Sequence, residues 1–528
     1  MRGRVWRAVV FAGSVSILLL SLASPVQASS SNGNREDKGA RHRPVSSLSA
    51  AARTLAPTAD PQQSGSEQGG GVVANFNGVS SLDSEITNFG AKFEPPDQGL
   101  CEGNGFVVEM VNSAWRVYDL NGKTLHGPQN VNEPFHEDFL AFTSDPRCHF
   151  DAATNTWFAT ILFLGFDANG NGTDSHLDIA YNTSGDPTTN WTVFQIDTTD
   201  AGAPASFGCP CFGDQPRLGI DNTNIYVSQD EFSINGPQYN GAEIIAVSKQ
   251  DLVNHQSHPH FARFSHLNNI DGSQAIAIEP ALTNGSANAE YFLESLDITG
   301  TGTGDNRIAV WSLTHVDLVQ RGGAPILSSV IIGSEPYAIP PAALQKNGGA
   351  FTLDSGDDRM QQTQFINGEI WGELTTALTP AGDSAQRAGA AWFRVQPSLT
   401  GNHLSRASVT GQGYVAVPGR YVIYPALQLD SQGRGAMVFT VSGADLFPSA
   451  GYSRLSAGSS NFDAPTIAAR GSGPYVNNSH RWGDYSWAVV DQSTDTIWMA
   501  TEYMPPKSSQ TTTGRRPWGT RVIALALE

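Results

Sequence analysis

Acidic residues and arginines recur beside proline or glycine at the start of short β-type stretches in this sequence. Those that could contact a ligand are Asp145, Arg147, Asp214, Arg217, Glu279, Asp358 and Arg359. Arginine binds a carboxylate through two parallel hydrogen bonds, so several arginines at one place could hold a carboxylated sugar. Two acids that flank a sugar could hydrolyse its glycosidic bond. The residue types therefore predict a glycan-binding site or a glycosidase site.

The last copy of this pattern, Arg481-Trp-Gly-Asp-Tyr-Ser486, differs most from the others. It supplies the candidate catalytic residues His480, Arg481, Asp484 and Tyr485. A catalytic group is usually unique to one repeat, whereas a structural contact recurs in most of them. An aspartate ahead of a strand can cap its turn, and a nearby arginine can bridge to the next sheet. Repetition therefore favours a structural role for the earlier copies.

A second group of oxygen ligands lies in the segment Asp167-Ala-Asn-Gly-Asn-Gly-Thr-Asp-Ser-His-Leu-Asp178. Its spacing fits a loop that wraps Ca²⁺. The candidate ligands are Asp167, Asn169, Asn171, Asp174 and Asp178. The flanking residues predict strands instead of the helices of an EF-hand, so a hairpin tip without metal is the favoured interpretation and a structural calcium site is the alternative. Calcium is the one cofactor that the sequence suggests.

Three histidines form a second pattern that could bind a metal. His255, His258 and His260 have the spacing H-x-x-H-x-H, which could hold a transition metal. An exposed loop without metal is the favoured interpretation of this segment.

The interval between the repeated copies indicates how the chain positions them. Their anchors near residues 96, 146, 216, 280, 358, 425 and 483 span 387 residues in six steps, or 64 to 65 residues a step. Repeats of this length built from short strands are typical of a β-propeller. The turns into the innermost strands of a propeller lie on one face. We therefore expect the anchors to converge at the mouth of a central channel.

We predict an all-β chain, with a single β-propeller of four-stranded antiparallel blades over residues 72–528. Seven blades are the favoured number, and six or eight are alternatives because the loops vary in length. Runs of aromatic and β-branched residues predict hairpins such as Phe106–Val111 with Ala114–Tyr118, and Trp157–Phe163 with His176–Tyr181. The N- and C-terminal strands are expected to close the propeller within one blade.

The N-terminus predicts export. Arg2, Arg4 and Arg7 precede an apolar run from Ala8 to Ala23, so residues 1–28 read as a secretory signal peptide cleaved after Ala28. Residues 29–71 are rich in Ser, Gly, Gln, Arg and Pro, which is typical of a disordered linker. We therefore expect a secreted, extracellular protein that has no membrane attachment after cleavage.

The charge of the chain excludes some partners. Loss of the three arginines of the signal peptide leaves 28 basic against 50 acidic residues, a net charge of −22. This negative charge argues against binding to nucleic acid or to anionic membranes. Gly (54) and Pro (30) are abundant while charged residues are only 15%, as expected for short strands joined by turns.

The four cysteines suggest two disulfides in an oxidising compartment. They are Cys101, Cys148, Cys209 and Cys211, and three pairings are possible. Cys101 and Cys148 follow the anchors of neighbouring repeats at similar offsets, which mildly favours their pairing. Cys209 and Cys211 would then form a bridge with each other or a free pair.

Four turns share a finer pattern that resembles a known family. Asp151-Ala-Ala-Thr-Asn-Thr-Trp157 and Asp491-Gln-Ser-Thr-Asp-Thr-Ile-Trp498 end in a tryptophan that opens the next strand, and Asp221 and Asp430 occupy the same place without it. An aspartate that accepts turn N–H bonds and a tryptophan between blades explain the spacing. The turns resemble degenerate Asp-boxes of sialidase-type propellers, although the complete Asp-box does not occur.

A wider resemblance covers the chain from about residue 93 to the C-terminus. Its motifs include Pro95-Pro-Asp-Gln-Gly, Asn112-Ser-Ala-Trp-Arg-Val-Tyr-Asp, Asp186-Pro-Thr-Thr-Asn-Trp, Asp214-Gln-Pro-Arg-Leu-Gly-Ile and Arg481-Trp-Gly-Asp-Tyr-Ser. In this order they resemble a group of secreted bacterial propeller proteins, mostly uncharacterised. The resemblance implies a propeller and export, and it implies no activity.

Two functions remain open from the sequence. The favoured one is extracellular binding, with the protein as a scaffold that recognises a glycan or a protein at the channel face. The alternative is a sialidase-like glycoside hydrolase or polysaccharide lyase that acts on acidic, carboxylated glycans. We expect a monomer whose partners are extracellular and include neither nucleic acid nor membrane.

Overall fold

The computed structural model describes residues 49–50, 71–200, 208–236, 238–285, 287–296 and 304–527. The predicted signal peptide (1–28) and nearly all of the predicted linker (29–71) lie outside the described residues and stay predictions. Helices are short, namely α1 (Ser81–Thr87), α2 (Lys249–Val253) and 3₁₀ turns at Val316–Arg321 and Lys507–Ser509. None of the helices in these ranges has the length and apolar character needed to cross a membrane.

Strands make up most of the described chain. It starts with β1 (Ser49–Ala50) and β2 (Val72–Ser80), which pair with strands much later in the sequence. The next twelve strands form three antiparallel groups of four, which we name blades 1 to 3. Blade 1 consists of β3 (Gly99–Gly103), β4 (Phe106–Val111), β5 (Ala114–Asp119) and β6 (Thr124–Asn130). Blade 2 consists of β7 (Phe142–Asp151), β8 (Thr156–Phe166), β9 (Gly172–Asn182) and β10 (Thr192–Asp197). Blade 3 consists of β11 (Cys211–Ile220), β12 (Asn224–Ser233), β13 (Tyr239–Ser248) and β14 (Phe261–Leu267).

The remaining strands continue the same arrangement as blades 4 to 7. Blade 4 consists of β15 (Glu279–Thr283), β16 (Ala289–Ser295), β17 (Asp305–Thr314) and β18 (Ile326–Tyr337). Blade 5 consists of β19 (Met360–Ile366), β20 (Glu369–Pro380), β21 (Arg387–Thr400) and β22 (His403–Val415). Blade 6 consists of β23 (Arg420–Leu429), β24 (Gly435–Gly443), β25 (Leu446–Leu455) and β26 (Thr466–Ala469). Blade 7 consists of β27 (Trp487–Asp491), β28 (Thr496–Tyr503) and β29 (Gly519–Ala526), with β2 as its fourth strand.

The first strands of the blades form a closed ring. Each contacts the first strand of the next blade, from β3 through β7, β11, β15, β19 and β23 to β27, and β27 contacts β3. Short parallel pairings join β11 to β15 and β15 to β19, so blades 3 to 5 share one hydrogen-bonded sheet. The predicted all-β propeller with four-stranded antiparallel blades is confirmed, and this grouping favours the predicted number of seven.

Burial decreases from the ring outward, which explains the composition of the strands. Every residue of β15 and β19 is buried, whereas β14, the last strand of blade 3, has no buried residue and β22, the last strand of blade 5, has only Leu404 and Val415 buried. An innermost strand is covered on both faces, so it tolerates polar residues only when they are paired. The core therefore lies between neighbouring blades, and polar side chains in the ring need partners there.

The two ends of the chain meet in blade 7. β2 pairs antiparallel with β29, as in Phe76 opposite Val522. This is the predicted closure by N- and C-terminal strands. In addition, β1, which lies within the predicted linker, pairs in parallel with β20.

The predicted turns and hairpins have the expected local structure. The two hairpins expected near residues 106–118 and 157–181 are β4–β5 and β8–β9. Asp221 and Asp430 accept hydrogen bonds from turn N–H groups at 2.7–2.9 Å, and Asp491 accepts one from Ser493 at 2.8 Å. The carboxylate therefore closes each turn ahead of the next strand, while the Asp-box relationship itself stays a resemblance.

The structure pairs the cysteines in the favoured way. Cys101 in β3 and Cys148 in β7 form a buried disulfide with a Cα–Cα distance of 5.3 Å, which joins blades 1 and 2 at the ring. Cys209 and Cys211 form the second disulfide, across one intervening residue.

Replacement of both Cys101 and Cys148 by alanine should lower the free energy of unfolding by about 2–4 kcal/mol, because the unfolded chain regains the freedom that a 47-residue cross-link removes. Denaturant unfolding of the oxidised proteins would measure the loss. The matched control is the Cys209→Ala, Cys211→Ala variant, which opens a loop of only two residues and should cost less. An equal loss in both variants would contradict the role of the inter-blade bridge.

Candidate functional site

Three of the seven repeated anchors are β-bulges in the first strands of their blades. In blades 2, 3 and 6 the residues Asp145, Gln215 and Tyr424 directly precede a proline and have φ of 60°, 49° and 52°. The strand register shifts at each of these points. A left-handed residue in a bulge bends the strand and redirects the side chains around it. The repeated sequence pattern is therefore a backbone device that turns polar groups towards the ring.

Three acids from blades 1, 2 and 7 meet at one place, and we name Asp97, Asp145 and Asp484 the acid group. Asn112 joins the first two, since its Nδ2 donates to Asp97 Oδ2 (2.6 Å) and its Oδ1 accepts from the Asp145 backbone N–H (2.7 Å). The Asp484 backbone N–H donates to Asp97 Oδ1 (2.5 Å). The ring thus holds three carboxyls from distant parts of the sequence close together.

Loss of hydration raises the pKa of each member of the acid group. The pKa of Asp145 is about 7, and the charges of Asp214 and Asp484 add to the effect of burial. Desolvation raises the pKa of Asp484 to about 6, and the charge of Arg481 limits this rise. The pKa of Asp97 lies well above its usual value through burial and the charge of Asp484. Near neutral pH the acid group can therefore hold both a proton and a negative charge.

Two of the four predicted arginines are partly exposed beside these acids. Arg481 donates from Nη2 to Asp484 Oδ2 (2.6 Å) and keeps 26% of its side chain exposed. Arg359 binds Asp357 through Nε (2.7 Å) and Nη2 (2.6 Å), donates from Nη1 to Gln215, and is 27% exposed. The Arg359 charge lowers the pKa of Asp357 despite desolvation. These two arginines could contact a ligand as well as their protein partners.

The other two arginines are buried and join blades. Arg217 donates from Nη2 to Gln215 Oε1 and Asp230 Oδ2, both at 2.9 Å, and its Nε lies 3.5 Å from Glu279 Oε2. Burial raises the pKa of Glu279 to about 8, against the opposing charges of Arg147 and Arg217. Arg217 therefore links blade 3 to blade 4 as a structural clasp.

Arg147 contacts aromatic rings of blade 7. Its guanidinium lies 3.2 Å from the ring centre of Tyr485 and 4.5 Å from that of Trp487. A desolvated cation–π contact contributes about 2 kcal/mol. The Tyr485 hydroxyl donates to the Pro146 carbonyl at 3.1 Å, and burial raises its pKa well above the usual value. Both side chains are buried, so the structure places them between blades.

The structure separates the predicted site residues into two sets. Asp145, Asp484, Arg359 and Arg481 lie together, and Asp214 is close enough to raise the pKa of Asp145. The second set is enclosed between blades, namely Arg147, Arg217, Glu279, Asp358 and Tyr485. The predicted catalytic residue His480 has its Nδ1 3.0 Å from the Thr352 carbonyl oxygen, which holds its ring against the segment before β19.

Sequence reasoning left out residues that the structure brings to the site. Asp97 stands in the quoted Pro-Pro-Asp motif, and Asp357 directly precedes the predicted Asp358. Both belong to anchor copies, so the anchor pattern contained the information that could have found them. Asn112 lies in a β-turn outside the anchors, and its bridging role depends on the meeting of blades 1 and 2.

The five predicted calcium ligands do not form one cluster. Asp167 Oδ1 accepts the backbone N–H groups of Asn169 (2.8 Å) and Asn171 (2.9 Å) at the tip of the β8–β9 hairpin. Asp178 lies further along β9, opposite Ile161, and close to His176. A strand advances about 3.3 Å per residue, so Asp178 cannot reach the tip. The grouping is therefore corrected to a hairpin tip closed by its own amides, and calcium binding stays a prediction.

Comparisons with known proteins show a likeness to solved propeller enzymes. No protein-family model matches the chain, and no curated protein matches it. Trypanosoma rangeli sialidase is 9% identical with a TM-score of 0.35, over 81% of this chain and 58% of that one. Penicillium chrysogenum α-L-arabinanase is 9% identical with a TM-score of 0.29, over 72% of this chain and 92% of that one. The GH43_1 enzyme from Xanthomonas citri is 12% identical with a TM-score of 0.32, over 73% of this chain and 88% of that one. The chain thus spans less than two thirds of the sialidase, and we base the proposals below on its own residues.

The contrast between the buried Arg217 and the partly exposed Arg481 can be tested by measuring stability. Arg217→Met should lower the free energy of unfolding by about 3–5 kcal/mol, because it leaves the buried Asp230 without the cation that it pairs with at 2.9 Å. Arg481→Met should cost about 1 kcal/mol or less, since its pair with Asp484 is partly exposed. Urea unfolding of the two variants measures the difference. Equal losses would show that Arg481 is a structural clasp as well.

Proposed function

We propose that the protein is a secreted glycoside hydrolase that acts on glycans at the acid group. The observation that carries this proposal is the meeting of Asp145 and Asp484 at one site, where burial raises their pKa values to about 7 and about 6. Two carboxyls whose environments separate their pKa values can divide the roles of acid and base. Their common location beside two partly exposed arginines supports a polar substrate.

In this mechanism Asp145 is the general acid. It donates its proton to the glycosidic oxygen as the bond from that oxygen to the anomeric carbon breaks. Asp484 is ionised and either takes a proton from the attacking water or attacks the anomeric carbon itself, depending on the separation of the two carboxyls. In the second case water later releases the sugar, and Asp145 takes back a proton from that water. Protons and bonds balance in both routes.

Arg481 and Arg359 give a reason to expect acidic glycans as substrates. Each has a partly exposed guanidinium, and arginine holds a carboxylate in a fixed orientation. Arg481 also lies next to the proposed base, so a bound carboxylate would be placed near the reacting bond. Sugars that bear a carboxylate should therefore be better substrates than neutral ones.

Extracellular binding without turnover is the second candidate. The buried arginines favour it, since Arg147 and Arg217 serve contacts between blades. A scaffold needs no pair of carboxyls with different pKa values. Binding of a glycan without product would support this candidate.

The pH dependence of turnover tests the roles of the two acids. With acidic and neutral oligosaccharides as substrates, kcat/KM should rise as pH passes about 6, where Asp484 loses its proton. It should fall above pH about 7, where Asp145 loses its proton. Asp145→Asn should remove the alkaline limb and Asp484→Asn the acidic limb, each with a loss of about 10²–10⁴ in rate. Product detection by mass spectrometry measures the rates.

A second experiment tests the arginine. Arg481→Ala should raise KM for carboxylated glycans more than for neutral ones, while the surface variant Arg321→Ala should leave both unchanged. Binding in the wild-type protein without any product would reject the hydrolase and leave the scaffold. Turnover that is unaffected by Asp145→Asn and Asp484→Asn would reject the assignment of the acid group.

A further inference from the structure

A second constellation of chemical groups lies in the outer part of blade 2. Glu137 belongs to the connection between β6 and β7, and His176 and Asp178 are alternate residues of β9, so they share one face. Gln195 of β10 completes the group. None of the four belongs to the repeated anchors or to the acid group.

The spacing of the ligand atoms fits a small divalent cation. His176 Nε2 lies 3.3 Å from Glu137 Oε1 and 3.4 Å from Asp178 Oδ1. The three ligand atoms all lie within 4.8 Å of one another. Zinc binds imidazole nitrogen and carboxylate oxygen at about 2.0–2.2 Å in tetrahedral geometry, which places neighbouring ligand atoms about 3.4 Å apart. The observed distances match that spacing before any rearrangement.

The state of Asp178 is an independent indication of a ligand. Its side chain has 0% exposure, and neither carboxylate oxygen accepts a hydrogen bond among the described residues. A buried carboxylate without hydrogen bonds is costly unless a cation compensates it. The amide of Gln195 lies beside Asp178, and its Nε2 donates to Glu137 Oε1 at 2.9 Å. Asp178 is thus directed towards His176 and Glu137 with its ligand capacity unused.

The ring of His176 is already oriented for such a site. It stacks on Phe163 of the neighbouring strand at 4.1 Å between ring centres, with 9° between the planes. This packing fixes the direction of Nε2, which also lies 3.2 Å from Gln195 Nε2. A rigid imidazole lowers the entropy that is lost on metal binding.

A comparable cluster elsewhere also has a buried carboxylate without hydrogen bonds, Glu231, but an arginine reaches into it, with Arg263 Nη2 3.8 Å from Glu231 Oε1. Asp200, Glu231 and His266 also lie within ligand distance of one another. There Arg263 supplies a positive charge, with its Nη2 2.9 Å from Asp200 Oδ1 and 3.0 Å from Glu243 Oε2. An arginine already compensates those acids, so this cluster has less need for a cation.

We propose that Glu137, His176 and Asp178 bind a first-row divalent cation of the zinc class. Gln195 lies close enough to take part through its side-chain oxygen after rotation of the amide. The cation fastens the β6–β7 connection to β9 and β10, and therefore stabilises the junction of blades 1 and 2. The site is separate from the Asp167 hairpin tip and from the histidines of residues 255–260.

Zinc titration of the chelator-dialysed full-length mature protein tests this site. Calorimetry and elemental analysis after gel filtration should show one Zn²⁺ per chain bound by the wild type, and zinc should raise the melting temperature. Saturation at 100 times Kd corresponds to about 2.7 kcal/mol of added stability. His176→Gln, Asp178→Asn and Glu137→Gln should each weaken zinc binding by about 100-fold or more, since even changes around the ligands cost 10- to 100-fold.

Control variants identify the site if zinc binds elsewhere. His258→Gln in the histidine loop and His266→Gln in the arginine-compensated cluster should keep wild-type affinity. Loss of zinc in either control with retention in His176→Gln would overturn the proposal, and so would a wild type that binds no zinc at micromolar concentration. Glu137→Gln changes a residue outside the strands, so it decides the question even if Asp178→Asn does not fold.

Discussion

Compensation of buried charge in the ring of first strands is the constraint on which the structure depends. The first strands and the turns before them contribute polar side chains, and the ring encloses most of them away from water. A buried ion is tolerated only with a partner, so charged groups of the ring must find partners in their own blade or the next. Arg217 pairs with Asp230 within blade 3 and approaches Glu279 of blade 4, and Arg147 of blade 2 lies over Tyr485 beside blade 7. The blades are therefore held together by their polar anchors as well as by the apolar layers between them.

The same constraint accounts for the candidate site. Where cations and acids balance, as around Arg217, the groups are enclosed and paired. At Asp97, Asp145 and Asp484, burial and the charges of neighbouring acids raise the pKa values of carboxyls that lie beside a partly exposed arginine. A scaffold that must bury charge thus produces, at one place, groups that can exchange protons near neutral pH. The arrangement that buries charge in the fold therefore also supplies the groups that could carry out catalysis.

The sequence predicted the fold well because a propeller repeats its local rules. Turn aspartates and the aromatic residues that open strands can be read from short stretches of sequence, and the anchors recur at steps of 64 to 65 residues. The structure contains these turns. The site was predicted less well, because which residues belong to it depends on which side chains of different blades face each other. Asp357 and Asp358 are adjacent, yet Arg359 binds the first while the second is wholly buried. Asp178 fitted a calcium loop by spacing, but a strand carries it away from the loop and towards His176. Strand register and contacts between residues that are distant in sequence decide where these side chains lie, and no local sequence pattern encodes either.

The pairing of β2 with β29 also implies an order in which parts of the protein fold. The strands that complete blade 7 include residues such as Asn75 and Arg521, which lie 446 positions apart in the chain. Contacts over such separations form late, because the intervening chain must first be organised. A ribosome has to release almost the whole polypeptide before the ring can shut. Until then β2 has no partner strand, and its unpaired backbone groups can pair with another chain.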